Sequence, residues 1–352
     1  MAINLTPGEI YFIREKDLLT KEVSSYVKVG LVREGEDRGS EERASEHQTG
    51  NPRQLFVEKI IKTEAVSAVE NMLHDHFANQ RVSGEWFDFN KGQLQECIQM
   101  AEKFATEAKM SVSHFSKAKE LKDIVSTEAK AAPTLEAKEL HTEYLEAEVS
   151  LDHCQELSGR IREIFIEALE NPEIDVDHIV KKQEKKVRLV FDKVAFELAH
   201  PDIYAKYLDE KTVPSGTFRM VRPKDFSPDL KEINPELEEF SKNLVIALDE
   251  VKSNERSRES LHALNLRLLA FESTAEWRLE KAKAAIQVLC GDNAEIIGIC
   301  KWARTLKSKV TFDDKKLKQE HTDLYATFCH EEKGATAIII NPKKPYAGED
   351  FK

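Results

Sequence analysis

GEIYFIREKDLLTKEVSSYVKVGLV, residues 8–32, holds two runs rich in β-branched and aromatic residues, GEIYFIR at 8–14 and SYVKVGLV at 25–32, with a charged KDLLTKE stretch between them. Such side chains suit a pleated, half-buried surface, and the connection is short enough to close a β-hairpin. The polar segment REGEDRGSEERASEHQTGNP follows, and then QLFVEKIIKT alternates as a third strand does. The opening therefore reads strand, strand, loop or helix, strand. From Glu64 the period changes: Val66, Val69, Leu73 and Phe77 recur at spacings of three and four, on one face of a helix. Glu70 borders that stripe, where packing alone has no use for a carboxylate. A GEWF turn at 84–87 and Asn90, placed to cap a further helix over NKGQLQECIQMAEKFATEAK, end the first module near residue 90.

A chain of 352 residues with 41% hydrophobic content can bury a substantial core, and its length predicts two or three domains. It lacks a run of about 18 apolar residues, and its start lacks a basic segment followed by an apolar one, so neither a membrane span nor a secretory signal is expected. The five cysteines, Cys97, Cys154, Cys290, Cys300 and Cys329, have no CxxC spacing. They read as thiols of a reducing compartment, which predicts a cytoplasmic location and argues against a zinc site or disulfide frame. The net charge of -12 argues against electrostatic capture of nucleic acid by the chain as a whole. Any such contact must come from local basic patches.

Residues 91–143 are rich in Ala, Glu and Lys, with Pro133 as the clear break, and read as a helical connector. Beyond it lies an internal repeat. Phe191-Asp192 precedes HPDIYAKY (200–207) and GTFRMVRPK (216–224); Phe312-Asp313 precedes HTDLYATF (321–328) and GATAIIINPK (334–343), with equal Phe-to-His spacing in both blocks. Each block is expected to run helix, β-hairpin, short helix, strand. The hairpins, HIVKKQEKKVRLVF and IIGICKWARTLKSKVTF, concentrate Lys181, Lys182, Lys185, Lys186 and Arg188, then Lys301, Arg304, Lys307 and Lys309. That local basic charge fits either a solvated edge or a wing that contacts phosphates. His200 with Tyr204, and His321 with Tyr325, sit four residues apart; a lone His with Asp and Tyr is a poor ligand set, so a capping and core role is expected. Trp277 and Trp302 read as core or hairpin anchors.

Taken in order, GEIYFIR, YVKVG, an arginine before QTGNP, the Glu70 helix and GEWF resemble the GIY-YIG nuclease superfamily, in its phage-type branch, where the second motif carries lysine in place of tyrosine. The resemblance covers about the first 90 residues. It implies an α+β fold with a small antiparallel sheet, and hydrolysis of a phosphodiester, in DNA above all, with Mg2+ or Mn2+. It makes Tyr11 the general base or water-positioning phenol, with Lys28 beside it to lower the phenol's pKa and touch phosphate. An arginine neutralises the scissile phosphate; counting from Gly30 favours Arg38, while the Thr49-Gly50 anchor favours Arg43. Glu70 is the metal-binding carboxylate, His74 one turn on orients that carboxylate or the phosphate or borders the core, and Glu85 supports the ligand. The first motif departs from the pattern by one extra residue between glycine and isoleucine.

The expected organisation is a nuclease domain at 1–90, a helical connector at 91–143, a repeat module at 144–228, a second connector at 229–265 and a second module at 266–352. The modules are weakly similar to C-terminal parts of phage-type recombination nucleases and would bind substrate; the helical segments could support a homo-oligomer. The acidic balance leaves open a scaffold or weakly catalytic nucleic-acid-binding protein with a degenerate nuclease fold.

Overall fold

The computed structural model describes residues 5–36, 39–49, 51–171, 174, 176–184 and 186–343. Arg38 and Lys185 lie outside them. The fold is mixed α+β, as the sequence predicts.

Strands β1 (Gly8–Lys16) and β2 (Val23–Arg33) form the expected hairpin. The polar segment after it folds into helix α1 (Ser40–Gln48), opened by a bond from the Gly39 amide to the Glu42 carboxylate. Then come β3 (Gln54–Thr63), α2 (Val66–His76), β4 (Arg81–Ser83) and β5 (Trp86–Asp88). They complete an antiparallel sheet of order β3-β1-β2-β5-β4.

The period-two pattern of β1 and β2 gives the sheet two different faces. Ile10, Phe12, Val27 and Val29 pack against Val66, Val69, Met72 and Leu73 of α2. The same cluster takes in Leu94, Cys97, Ala101 and Phe104 of α3 (Lys91–Leu121). Asn90 caps α3 as predicted: its carboxamide accepts from the Gln93 amide at 2.9 Å, while the Gln93 side chain accepts from the Asn90 amide at 3.0 Å. The other face carries Tyr11, Ile13, Val32 and Leu55 under Ala44 of α1. The site lies on that second face.

The remainder is built on two long helices, α4 (Leu135–Glu170), preceded by the short β6 (Lys130–Ala131), and α9 (Arg258–Cys290). Between them lie β7 (Val180–Gln183), β8 (Arg188–Phe191), α5 (Lys193–Ala199), α6 (Pro201–Lys206), β9 (Leu208–Ser215), β10 (Arg219–Met220), α7 (Leu230–Ile233) and α8 (Pro235–Lys252). After α9 follow β11 (Glu295–Ile296), β12 (Cys300–Lys301), β13 (Thr305–Phe312), α10 (Asp314–Glu320), α11 (Thr322–Thr327), β14 (Cys329–Glu332) and β15 (Ala337–Ile340). Helix α4 runs through position 143/144 and α9 through 265/266, so these expected boundaries fall inside helices.

The repeat is present, but its strands are exchanged. The predicted hairpin at 178–191 does not form: β7 pairs with β15, and β8 with β14. The second block keeps only the short β11–β12 hairpin, while β12 also pairs with β10, and β13 with β9. The pairings are reciprocal. The shift that carries Phe191 onto Phe312 carries the register pair Phe191↔Cys329 onto Phe312↔Leu208, and Val180↔Ile340 onto Lys301↔Arg219. Ring contacts repeat too: Phe191 stacks on Tyr325 at 4.5 Å and Phe312 on Tyr204 at 4.7 Å, with Phe191 and Phe312 facing each other between them. On the long helices His141 bonds the Val221 carbonyl and His262 the Asn341 carbonyl, each at 2.7 Å. The duplicated unit thus has the reciprocity of a two-fold pair fused into one chain.

The first module rests on this unit through α9. Trp277 enters the α2–α3 core and donates to the Glu107 carboxylate at 2.8 Å, and Asn79 donates to the Ala263 carbonyl. Among the described residues no helix is long and apolar enough to cross a membrane.

Candidate functional site

The site begins with the register of β1 on β2. Tyr11 lies opposite Gly30, and Ile13 opposite Lys28. A Cβ on Gly30 would meet the Tyr11 hydroxyl at 2.5 Å, so the missing side chain is what lets the phenol lie across β2. Tyr11 is 1% exposed and lies within electrostatic reach of Arg43, which α1 brings over this face and which donates to the Glu46 carboxylate at 3.1 Å. Lys28 bonds the Glu85 carboxylate at 2.5 Å; Glu85 lies beside Trp86, the register partner of Lys28 on β5.

These contacts revise the expected chemistry of the phenol. Burial, then Glu85 and Glu70, push its pKa up to about 12, against the lowering effect of Arg43. The cation that acts on it is Arg43, and Lys28 is engaged by Glu85, whose carboxylate it holds below the ordinary range. At neutral pH Tyr11 is therefore a protonated phenol, the form that the water-positioning alternative requires.

Glu70 projects from α2 toward the same centre. Its Oε1 is shielded from solvent and has no hydrogen-bond partner. Burial and the Glu85 charge raise its pKa to about 7, opposed by Arg33, Lys28 and Arg81. A carboxylate held in that state gains from a cation. Among the described residues no cluster of three His, Cys, Asp or Glu is disposed to hold a metal, so Glu70 with water is the donor set on offer.

Two residues of the site escaped the sequence reading. His47 stands one turn after Arg43 on α1; its Nε2 is shielded and unpartnered, and burial together with Lys28 and Arg43 lowers its pKa. The signal was the four-residue spacing from Arg43, visible only once 40–48 is known to be helical. Arg81, on β4, faces Glu70, Glu85 and Asp75 and donates to the Gly84 carbonyl at 2.5 Å.

Of the roles expected of His74, the structure fits the one that borders the core. It is 8% exposed, its Nε2 donates to the Val29 carbonyl at 2.9 Å, and its ring lies on Phe87. Burial drives its pKa down to about 4. It straps α2 to β2.

The basic residues of the repeats divide. Arg304 is 1% exposed: it donates to the Ile124 and Gly291 carbonyls at 2.8 and 2.7 Å and stacks on Trp302 at 3.8 Å. Its guanidinium is buried and bonded through Nε and Nη2 within the fold, with Nη1 left unpartnered, so it is not displayed on the surface to a phosphate. Arg188 is exposed but paired with Glu332 at 3.0 Å. Lys182, Lys186, Lys301, Lys307 and Lys309 are exposed, and Lys181 is half-buried. Lys307 and Lys309 share the β9–β13 ribbon, where Lys309 faces Lys211.

The T5orf172 domain, found in phage-type and homing-endonuclease-like proteins, matches residues 8–102. The match takes in the whole sheet, α1, α2 and the first turns of α3. No curated protein and no solved structure matches the chain.

Proposed function

We propose that the chain is a metal-dependent endonuclease of GIY-YIG type that hydrolyses phosphodiester bonds, in DNA above all. The observation that carries the reading is convergence. Tyr11 from β1 and Lys28 from β2 share one sheet face, Lys28 is paired with Glu85 from the β4–β5 turn, and Arg43 and His47 from α1 and Glu70 from α2 lie within electrostatic reach of these groups. The T5orf172 match covers all six.

In this mechanism Arg43 grips the scissile phosphate, its planar fork suited to two oxygens, and Lys28 adds a second positive charge. The Tyr11 phenol orients the attacking water. His47, neutral at pH 7, accepts the water's proton as the P–O bond forms. Glu70 would hold Mg2+ or Mn2+, which supplies charge stabilisation for the leaving oxygen. Glu85 keeps Lys28 aimed at the site. The exposed lysines of the repeats supply contacts to the nucleic-acid backbone, which the acidic first module needs.

Incubation of supercoiled plasmid with magnesium tests this: wild type relaxes or linearises it, while Tyr11→Phe and Arg43→Ala, folded by circular dichroism, fall by at least about 100-fold. A scaffold reading rests on the net charge of -12 and on the pairing of Arg188 with Glu332. It prevails if wild type is as inert as both variants on duplex, single-stranded DNA and RNA.

A further inference from the structure

Beside the reacting groups lies a cleft of about 430 Å³ lined by His47, Thr49, Asn51, Pro52 and Trp86. It adjoins the centre on two sides. His47 belongs to both, and Trp86 is the register partner of Lys28. Trp86 is also unlike its neighbour. Phe87, 1% exposed, pins the turn to the core, whereas Trp86 packs its inner side on the Tyr11–Ile13 cluster and borders the cleft with the rest.

The opposite rim is preformed. The Gln48 side chain donates to the carbonyls of Asn51 and Arg53 at 3.0 and 2.9 Å and accepts from the Leu55 amide at 2.8 Å. The Asn51 carboxamide oxygen accepts from the Arg53 amide at 2.9 Å, which turns the chain into β3. The Gln48 and Asn51 side chains thus fix a wall carrying the polar groups of Thr49 and Asn51 and the flat ring of Pro52.

We infer that this cleft takes an unstacked nucleobase next to the scissile phosphate, with Trp86 as its stacking platform. The inference rests on the nuclease reading and deepens it: the preferred substrate becomes a strand carrying an unpaired nucleotide, bound more tightly than a continuous duplex. A base inside a duplex cannot reach a side pocket without unpairing, which costs least where the base is mismatched, bulged or single-stranded. Stacking on an aromatic ring is independent of sequence and of net charge. That suits a chain with a net charge of -12.

The test uses the full chain carrying Glu70→Gln and fluorescein-labelled oligonucleotides: a single strand, its blunt duplex, and the duplex with one bulged nucleotide. Trp277 and Trp302 are 4% and 2% exposed, so quenching of tryptophan fluorescence by a bound base reports Trp86. The single strand and the bulged duplex should bind more tightly than the blunt duplex and should quench. Adding Trp86→Ala should weaken both by about 5- to 150-fold, the range for losing one stacked base. Trp86→Phe should retain most of the affinity while abolishing the quench, which separates stacking from a damaged sheet. Equal binding of all three oligonucleotides, or indifference to Trp86→Ala, overturns the inference. Cleavage by the otherwise wild-type chain that needs Glu70 but ignores Trp86 refutes this subsite alone. Cleavage that ignores Glu70→Gln refutes the nuclease reading beneath it.

Discussion

Replacing Glu70 by glutamine should make the metal-free protein more stable at pH 8. Glu70 ionises near pH 7 in the fold against an ordinary value of 4.5, because burial and Glu85 oppose its charge. The folded protein therefore keeps a proton that the unfolded chain releases across that interval. Stability contributed by neutral Glu70 is complete below pH 4.5 and is lost as pH rises through 7. At about 1.4 kcal/mol per pH unit the full interval is worth about 3 kcal/mol. Relaxation of the site takes up part of that cost, which leaves about 1–3 kcal/mol for Glu70→Gln to recover. Urea unfolding at pH 4.5 and pH 8, in chelator, reads this directly. The two proteins should be alike at pH 4.5 and the glutamine variant ahead at pH 8. Asp75, also raised to about 7, titrates in both and cancels from the difference. Saturating magnesium should then restore wild type at pH 8, by about 2.7 kcal/mol at a hundredfold excess over Kd, and leave the variant unmoved. A glutamine variant less stable than wild type at pH 8 would show that the nearby cations already satisfy Glu70, removing its reason to hold a metal.

His47→Asn should lower the cleavage rate by about 100- to 10,000-fold and erase an acidic limb lying below the ordinary histidine pKa in the pH–rate profile, measured by single-turnover gel assays. Gly30→Ala should force the Tyr11 ring aside, costing about 1–3 kcal/mol in urea unfolding and most of the activity of the folded fraction. Arg304→Ala should cost about 2–4 kcal/mol, since its bonds to Ile124 and Gly291 and its stacking on Trp302 go at once, yet leave the salt dependence of DNA binding unchanged. Lys307→Gln with Lys309→Gln should do the reverse, reducing the slope of log K against log salt by about 1 for each phosphate that a lysine no longer neutralises.

The parts of the first module that were legible are those where packing imposes a period. β1 and β2 alternate because one sheet face is core, α2 repeats Val66, Val69 and Leu73 because one helix face is, and Asn90 with Gln93 writes its cap in side chains. Helix α1 was hidden for the opposite reason. It buries only Ser40 and Ala44 and shows no apolar stripe, so 40–48 reads as readily as a loop, and with it went the alignment of His47 with Arg43. The exchange of strands between repeats was beyond local pattern altogether. Val180–Gln183 looks the same whether its partner is nearby in the chain or a whole repeat away, and only the assembled register with Ile340 decides. Arg304 shows the same limit for charge: nothing beside Trp302 in the chain announces that the guanidinium is stacked and bonded within the fold.

The central claim is tested most directly by wild type and Glu70→Gln side by side on end-labelled single-stranded and bulged-duplex DNA, with magnesium or with chelator. The account predicts product from wild type only when magnesium is present, and none from an equally folded Glu70→Gln. Equal product from both proteins, or wild-type cleavage undiminished by chelator, would contradict it.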